Sequence, residues 1–203
     1  MPMQKWMKRL WLGLIMVASV VSFTSNSIYA AEEKTDASLA KIEKSGKLVL
    51  GLSADYAPYE FHTTINGKDK IVGFDVKMDR LIAKRLGVKL VLKEMNNDAL
   101  LMALKSGKVD IVISGITPTA ERKKEVDFSD VYFNDPNVVL VKKADKNKFK
   151  TLTDFKNAKI GAQITTTQED QAKKYLTGAK VTSLKKVTDE VAQLSEGTLD
   201  GIV

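Results

Sequence analysis

Strand-like and helix-like segments alternate along this chain, and that alternation limits its possible folds more than any other feature of the sequence. The pattern of apolar residues predicts, in order, a strand at 47–51, a helix over 75–86, a strand at 88–92, a helix over 97–106 and a strand at 109–113. Asp75 is the expected cap of the first helix and Gly87 its stop, and Asn97 or Asp98 is the expected cap of the second. Segments that alternate in this way form βαβ units, so we predict an α/β fold with a largely parallel sheet.

A second series of the same kind follows a charged connector at 145–148. It consists of a strand at 159–162, a helix over 168–176, a strand at 180–183 and a helix over 188–196. We therefore predict two lobes, the first over residues 31–141 and the second over residues 142–203.

Residues 104–112 resemble residues 194–202, because in both segments a helix ends at a glycine and leads into an apolar strand that carries an aspartate. A true repeat and the general likeness of α/β units both account for this match. If it is a repeat, Val203 corresponds to Ile113, and the loop that should follow the last strand lies beyond the chain. Ligands bind beyond the carboxyl ends of strands in open α/β sheets. We therefore expect the C-terminal part of the fold, with its return crossing to lobe 1, to be missing.

The first thirty residues have the pattern of a secretory signal peptide. Three basic residues precede an apolar run at 10–21, and a polar stretch then ends at Ala30. A run of about a dozen apolar residues is shorter than the roughly 20 that span a bilayer. We predict cleavage after Ala30 and export of residues 31–203, with a retained membrane anchor as the alternative.

The composition argues against several functions. The chain has no cysteine and a single histidine, His62, so it offers neither a thiol nucleophile nor a cluster of zinc ligands. His62 is expected in a solvent-exposed loop before the Asn66-Gly67 turn. The formal charge is +7, from 32 basic and 25 acidic residues, but the two kinds are interleaved, which is typical of a solvated surface and argues against nucleic-acid binding. We expect neither a metal nor a cofactor.

The segment 113–122 carries the most chemical information. Gly115 permits a close backbone approach, and Pro118 suits the first position of a helix capped by Thr117. The exposed N–H groups of such a helix start form an anion site, and Arg122 can add a bidentate grip on a carboxylate. The alternative is a capped surface helix with a solvent-facing arginine.

Four linked motifs resemble the polar amino-acid-binding proteins of ABC importers, which are solute-binding proteins of family 3 with the type II periplasmic-binding-protein fold. The motifs occupy residues 54–61, 71–76, 104–115 and 117–129. The resemblance extends from about residue 46 to residue 203. It implies an exported monomer, in the periplasm or at the outer face of the cell membrane, whose two lobes close over one amino acid and deliver it to a permease.

The resemblance also implies roles for individual residues of lobe 1. Arg122 would clamp the α-carboxylate of the ligand, assisted by the backbone N–H of Thr117. Ser114, Gly115 and Thr117 would offer acceptors to the α-ammonium group. Tyr56 would stack on the ligand side chain, which suits an aliphatic or cationic stem.

In lobe 2 the resemblance places backbone N–H groups around Thr166 and Thr167 on the same carboxylate, again at the start of a helix. On its own, this threonine run is equally an ordinary N-cap. Thr165 is a departure, because relatives commonly have glycine at this position. The approach of the backbone to the ligand is expected to be altered there.

Two further departures concern the ligand side chain. Asn97 replaces an aromatic residue of many relatives, and Ser53 replaces an aspartate of several, so no acid is left for that role in lobe 1. Gln163, Asn97 and Ser53 then remain as neutral polar candidates. We expect a polar ligand, glutamine-like or arginine-like, and the neutral set favours an uncharged side chain.

Two other functions fit the same motifs. One is a periplasmic enzyme on this scaffold, such as a cyclohexadienyl-type dehydratase or the binding-like part of a lytic transglycosylase. Such an enzyme would need a buried catalytic acid or an appended lytic domain, and the sequence indicates neither. The other is a sensory or permease-fused binding module on a longer polypeptide.

Overall fold

The computed structural model describes residues 37–203, so the predicted signal peptide and its cleavage after Ala30 lie outside the described residues. Within this range no helix is long and apolar enough to cross a bilayer. The strands are β1 Lys47–Leu52, β2 Asp55–Tyr56, β3 Glu60–Ile65, β4 Lys68–Val72, β5 Lys89–Glu94, β6 Ile111–Val112, β7 Leu140–Val141, β8 Lys159–Gln163, β9 Lys180–Leu184 and β10 Gly201–Ile202. The α-helices are α1 Ala37–Ser45, α2 Phe74–Arg85, α3 Asn97–Lys105, α4 Thr167–Tyr175 and α5 Val187–Glu196. Short 3₁₀ helices lie at Arg122–Lys124, Lys143–Asp145 and Leu152–Phe155.

The first lobe is built on a parallel sheet in the order β5-β1-β6. Leu50 and Leu52 of the central strand are fully buried and pack against Met78 and Ile82 of α2. The strands predicted at 47–51 and 88–92 are confirmed. The strand predicted at 109–113 shortens to β6.

The start of α2 differs from the prediction. Its N-cap is Gly73, with φ of 137°, and Asp75 lies inside the first turn with no exposed surface. A Cβ atom on Gly73 would lie 1.9 Å from the carbonyl oxygen of Tyr59, so only glycine fits this crossing of two backbone segments. Asp75 is therefore a buried carboxyl group and not the predicted cap. The cap of α3 is also shifted, to Asn96.

A second, antiparallel sheet with the order β2-β3-β4 was not predicted. Its β3-β4 hairpin turns at Asn66 and Gly67, both at positive φ, which is typical of a two-residue hairpin turn. His62 lies on β3 opposite Ile71 and contacts the carboxylates of Asp69 and Glu94. The prediction that His62 is exposed is confirmed, but its placement in a loop is wrong, because the hairpin extends strand pairing through it.

The second lobe contains a sheet in the order β7-β10-β8-β9. Strands β10, β8 and β9 are parallel, and β7 is antiparallel to β10. Ile160 and Ala162 of β8 are fully buried, and the rings of Phe149 and Phe155 stack in the same core, 4.5 Å apart. Strand β7 falls at the end of the predicted lobe 1, but its hydrogen bonds join the second sheet.

The two similar segments, 104–112 and 194–202, make the same kind of hydrogen bond to the neighbouring strand. Asp110 accepts a hydrogen bond from the N–H of Val49 at 2.9 Å, and Asp200 accepts one from the N–H of Lys159 at 2.8 Å. Each aspartate lies three residues after the glycine that ends the preceding helix. The similarity therefore holds in the structure, because each aspartate ties the start of its strand to the neighbouring parallel strand.

Candidate functional site

The two parallel sheets contact each other through the loops at the carboxyl ends of their strands. In the first lobe these loops follow β1 and β6, and in the second they follow β8 and β9. Ligands of open α/β sheets bind at this edge. Several hydrogen bonds among residues 37–203 cross from one lobe to the other. At this edge they join Arg122 to Thr165, Thr117 to Thr167, and Asp55 to both Gln163 and Val187.

Arg122 is the centre of one group of these contacts. Its Nη1 donates to the carbonyl oxygen of Thr117 at 2.9 Å, and its Nη2 donates to the carbonyl oxygen of Thr165 at 2.8 Å. Burial lowers its pKa, and nearby Asp170 opposes this shift, but a guanidinium remains charged in proteins. Among residues 37–203 it forms no salt bridge, so a half-buried cation lies between the lobes with neutral hydrogen-bond partners.

The helix predicted to begin at Pro118 is absent, and this prediction is wrong. Only the 3₁₀ turn Arg122–Lys124 forms. The hydroxyl of Thr119 accepts a hydrogen bond from the N–H of Arg122 at 3.2 Å. In a continuous helix this N–H would donate to a backbone carbonyl, but here a nearby side chain accepts it instead. The first lobe therefore offers a guanidinium, without the helix N-terminus that was expected beside it.

The helix N-terminus at this cleft belongs to the second lobe. Thr166 is the N-cap of α4, and its hydroxyl accepts from the N–H of Glu169 at 3.2 Å. The hydroxyl of Thr167 lies 3.4 Å from that of Thr117 in the other lobe. The first-turn N–H groups of α4 have no acceptor within the helix, and they lie at the edge where an anion would meet Arg122.

Thr165 adopts the left-handed conformation, with φ of 63°. Its N–H donates to the carboxylate of Glu169 at 2.7 Å, and its carbonyl oxygen accepts from Arg122. A β-branched residue at positive φ is a conformational outlier. Such strain often occurs at binding sites, and here it turns the Thr165 carbonyl toward the other lobe.

We expect Thr165→Gly to raise the free energy of unfolding by up to about 1 kcal/mol. An L-residue in this conformation costs about 1–2 kcal/mol, and the larger unfolded-state entropy of glycine offsets about 0.5–1 kcal/mol of the gain. Urea denaturation measures the effect. The matched control is Thr166→Gly, at φ of −95°, which removes a cap and should lower stability; equal losses in both variants would contradict the assigned strain.

A small cavity of about 140 Å³ lies between the lobes beside Arg122. Asn97 lines it from the start of α3, and Thr165 lines it from the second lobe. The structure therefore brings Asn97 to the same cleft as Arg122, as the prediction requires. A wider depression along α1 is lined by that helix alone and combines no polar groups from the two sheets.

Ser53 and Gln163, two of the predicted candidates for recognising the ligand side chain, both donate hydrogen bonds to Asp55. The hydroxyl of Ser53 donates to Oδ1 of Asp55 at 2.8 Å, so a carboxylate two residues along the chain lies against this position. Gln163 donates from Nε2 both to Oδ2 of Asp55, at 3.1 Å, and to the carbonyl oxygen of Lys185, at 3.0 Å. Its amide is thus used in joining the lobes.

Ser114, Gly115 and Tyr56 lie together but differ in their exposure. Ser114 is buried, and its hydroxyl accepts from the N–H of Ser53 at 2.9 Å and donates to Glu60 at 2.7 Å. Gly115 is exposed, and a Cβ there would lie 3.9 Å from the ring of Tyr56. Tyr56 is 41% exposed and stacks on Tyr59 with 5.2 Å between ring centroids. The aromatic face and the Gly115 backbone are therefore open to the cleft, whereas the Ser114 hydroxyl is not.

A group of buried carboxyl groups that the sequence did not predict lies behind this site. Burial raises the pKa of Glu60 to about 9 and that of Asp79 to about 7, and Asp75 adds to both shifts by repulsion. Burial also raises the pKa of Asp75, against the hydrogen bond that Tyr132 donates to it. The only sequence signal was the four-residue spacing of Asp75 and Asp79, which puts both on one face of α2.

Two α/β lobes whose sheet edges meet around an arginine and a capped helix start define a two-lobed solute-binding protein with the type II periplasmic-binding-protein fold. The chain belongs to the bacterial extracellular solute-binding proteins, family 3, whose model matches residues 48–202.

Named relatives and solved structures agree with this family. The arginine-binding extracellular protein ArtP of Bacillus subtilis is 34% identical over 99% of this chain and 72% of its own length. An amino acid ABC transporter substrate-binding protein of Streptococcus pneumoniae, bound to L-arginine, is 41% identical, with a TM-score of 0.80 over 81% of this chain and 69% of that one. The ancestral amino acid-binding protein AncCDT-1, a precursor of cyclohexadienyl dehydratase, is 38% identical, with a TM-score of 0.76 over 81% of this chain and 72% of that one. The chain spans 60% to 72% of the length of the curated relatives that it matches.

Proposed function

We propose that this protein binds a free amino acid outside the cytoplasm, in the periplasm or at the outer face of the membrane, and delivers it as a monomer to the permease of an ABC importer. The observation that carries the proposal is the half-buried guanidinium of Arg122, which has neutral partners and contacts both lobes. A ligand that bridges the lobes favours their closed arrangement by its higher affinity for that state.

The α-carboxylate of the ligand is assigned to Arg122 and to the first turn of α4. A guanidinium binds a carboxylate through two parallel hydrogen bonds, and a helix N-terminus adds N–H donors and a favourable dipole. In this proposal the carboxylate replaces the carbonyl of Thr165 as the acceptor for Arg122. Thr117, Thr166 and Thr167 surround the same position.

The proposed ligand is L-arginine. The neutral set Ser53, Asn97 and Gln163 favoured an uncharged side chain, but Ser53 and Gln163 are hydrogen-bonded to Asp55 in the contact between the lobes. The exposed face of Tyr56 suits a cationic stem. A curated relative named as arginine-binding and a similar structure bound to L-arginine support the same choice.

A thermal-shift panel of the common amino acids tests the proposal, because a ligand that binds only the folded form must raise its stability. We expect L-arginine to raise the Tm more than any other member. Agmatine, which has the side chain without the α-carboxylate, is the matched control and should give no shift. The proposal fails if no amino acid stabilises the folded protein, and the carboxylate assignment fails if agmatine equals L-arginine.

A dehydratase is the second candidate, because one similar structure is described as a precursor of such an enzyme. Glu60 is the kind of buried acid that this reaction needs, but it is 1% exposed and its Oε1 accepts from Ser114. It is therefore screened from the cleft, and binding is the function proposed first. Product release from prephenate would favour the enzyme instead.

A further inference from the structure

We propose that Asp55 is a latch that holds the second lobe against the first without help from a ligand. This inference rests on the proposed function only in that closure of the lobes serves ligand binding. Asp55 lies on β2 of the first lobe. Its Oδ2 accepts from the N–H of Val187 at 2.9 Å and from Nε2 of Gln163 at 3.1 Å, and both donors belong to the second lobe.

The second lobe presents hydrogen-bond donors to this carboxylate. Helix α5 begins at Val187, and its N-cap, Lys186, has no oxygen in its side chain and makes no side-chain cap. The first-turn N–H groups of a helix need an outside acceptor, and a carboxylate also interacts well with the positive end of the helix dipole. Asp55 provides from the other lobe the cap that α5 lacks in its own sequence.

The carboxylate is held in place on both sides. In its own lobe, Oδ1 accepts from the hydroxyl of Ser53 at 2.8 Å. In the second lobe, Gln163 is oriented by its other hydrogen bond, to the carbonyl oxygen of Lys185 at 3.0 Å. Hydrogen bonds to a charged group are about twice as strong as neutral ones, so these contacts favour one relative position of the lobes.

This contact differs in kind from the contacts that Arg122 and Thr117 make with the second lobe. Arg122, Thr165 and Thr167 use groups that the proposed ligand would engage, so their contact changes when a ligand binds. The Asp55 contact uses the start of α5 and not the start of α4, which the proposed carboxylate would engage, so it can persist with the ligand in place. We infer that it sets the population of the closed arrangement, and with it the apparent affinity for the ligand.

The test measures the distance between the lobes directly. The chain has no cysteine, so Lys84→Cys and Glu196→Cys place one spin label on each lobe at exposed positions. Without ligand, we expect Asp55→Ala to shift the label distances to a longer and broader distribution. Asp55→Asn should shift them less, because it keeps one oxygen acceptor but loses the charge. Asp189→Asn removes a charge from the same helix start without touching the first lobe, and it should leave the distribution unchanged.

We also expect Asp55→Ala to weaken L-arginine binding by about fivefold or more, through a smaller closed population. An unchanged ligand-free distribution in folded Asp55→Ala, or in Asp55→Asn if the alanine variant fails to fold, would overturn the latch. Weaker binding with an unchanged distribution would also overturn it, since Asp55 would then act on the ligand. If no amino acid binds the parent protein, the proposed function fails, whereas the ligand-free distances still decide the latch.

Discussion

Arg122→Ala lowers the affinity for L-arginine by at least tenfold, which corresponds to about 1.4 kcal/mol or more of binding free energy. The expected cause is the loss of the bidentate hydrogen bond to the α-carboxylate. In the cleft, the guanidinium donates to a carbonyl oxygen of each lobe. Isothermal titration calorimetry on the folded variant measures the change. Binding equal to that of the parent protein would remove Arg122 from the site.

Two further variants separate charge from geometry. Arg122→Lys keeps the positive charge but loses the planar pair of donors, so its affinity should lie between those of the parent and the alanine variant. Lys123→Ala removes an exposed cation from the next position, and its affinity should stay within about twofold of the parent, because exposed charges contribute little. Equal losses in Arg122→Ala and Lys123→Ala, with Arg122→Lys close to the parent, would point to general electrostatic attraction.

The free energy of unfolding falls by several kcal/mol as the pH rises from about 5 to about 9. Burial raises the pKa of Glu60 to about 9 and the pKa values of Asp79 and Glu190 to about 7. The unfolded chain releases these protons at lower pH than the folded protein does, so the folded protein binds more protons across this window and loses stability as the pH rises. Each unit of pKa difference corresponds to about 1.4 kcal/mol. Urea denaturation at pH 5, 7 and 9 measures the slope.

Neutral replacements should remove part of this slope. Glu60→Gln retains an oxygen that can accept from Ser114, and Asp79→Asn neutralises a carboxyl group whose two oxygens have no hydrogen-bond partner in the structure. Each variant should therefore be more stable than the parent at pH 9 and differ less at pH 5. Asp127→Asn, at an exposed position, is the control and should leave the slope unchanged. A stability that is flat or rises between pH 5 and pH 9 would contradict the predicted burial effect.

The regular elements of both lobes were predictable because their apolar residues repeat at the period of the element. The helix predicted at 188–196 is α5, which starts one residue earlier, and the strand predicted at 159–162 is β8, which ends one residue later. The helix predicted from Pro118 failed because one hydroxyl, that of Thr119, decides the local hydrogen bonding. The β2-β3-β4 sheet was missed because its strands alternate weakly between apolar and polar residues.

The site was partly predictable. Arg122, Asn97 and the threonines around 166 converge on one cleft, as the motif resemblance implied. The hydrogen bonds from Ser114 to Glu60 and from Ser53 to Asp55 were not predictable, because each depends on how the fold places the two side chains. The ligand roles of these residues remain proposals that the affinity measurements test.

The sequence by itself determined the α/β class, the two series of elements, the family and the candidate residues of the site, since all of these follow from periodicity and from motifs within short segments. Only the tertiary structure decided which groups meet. Asp55 and Val187 are 132 residues apart in the chain yet hydrogen-bonded, and Glu60 lies against Ser114 from 54 residues away. Partner choice and burial depend on such long-range contacts, which place Asp55 between the lobes and bury Glu60 so that its pKa is raised.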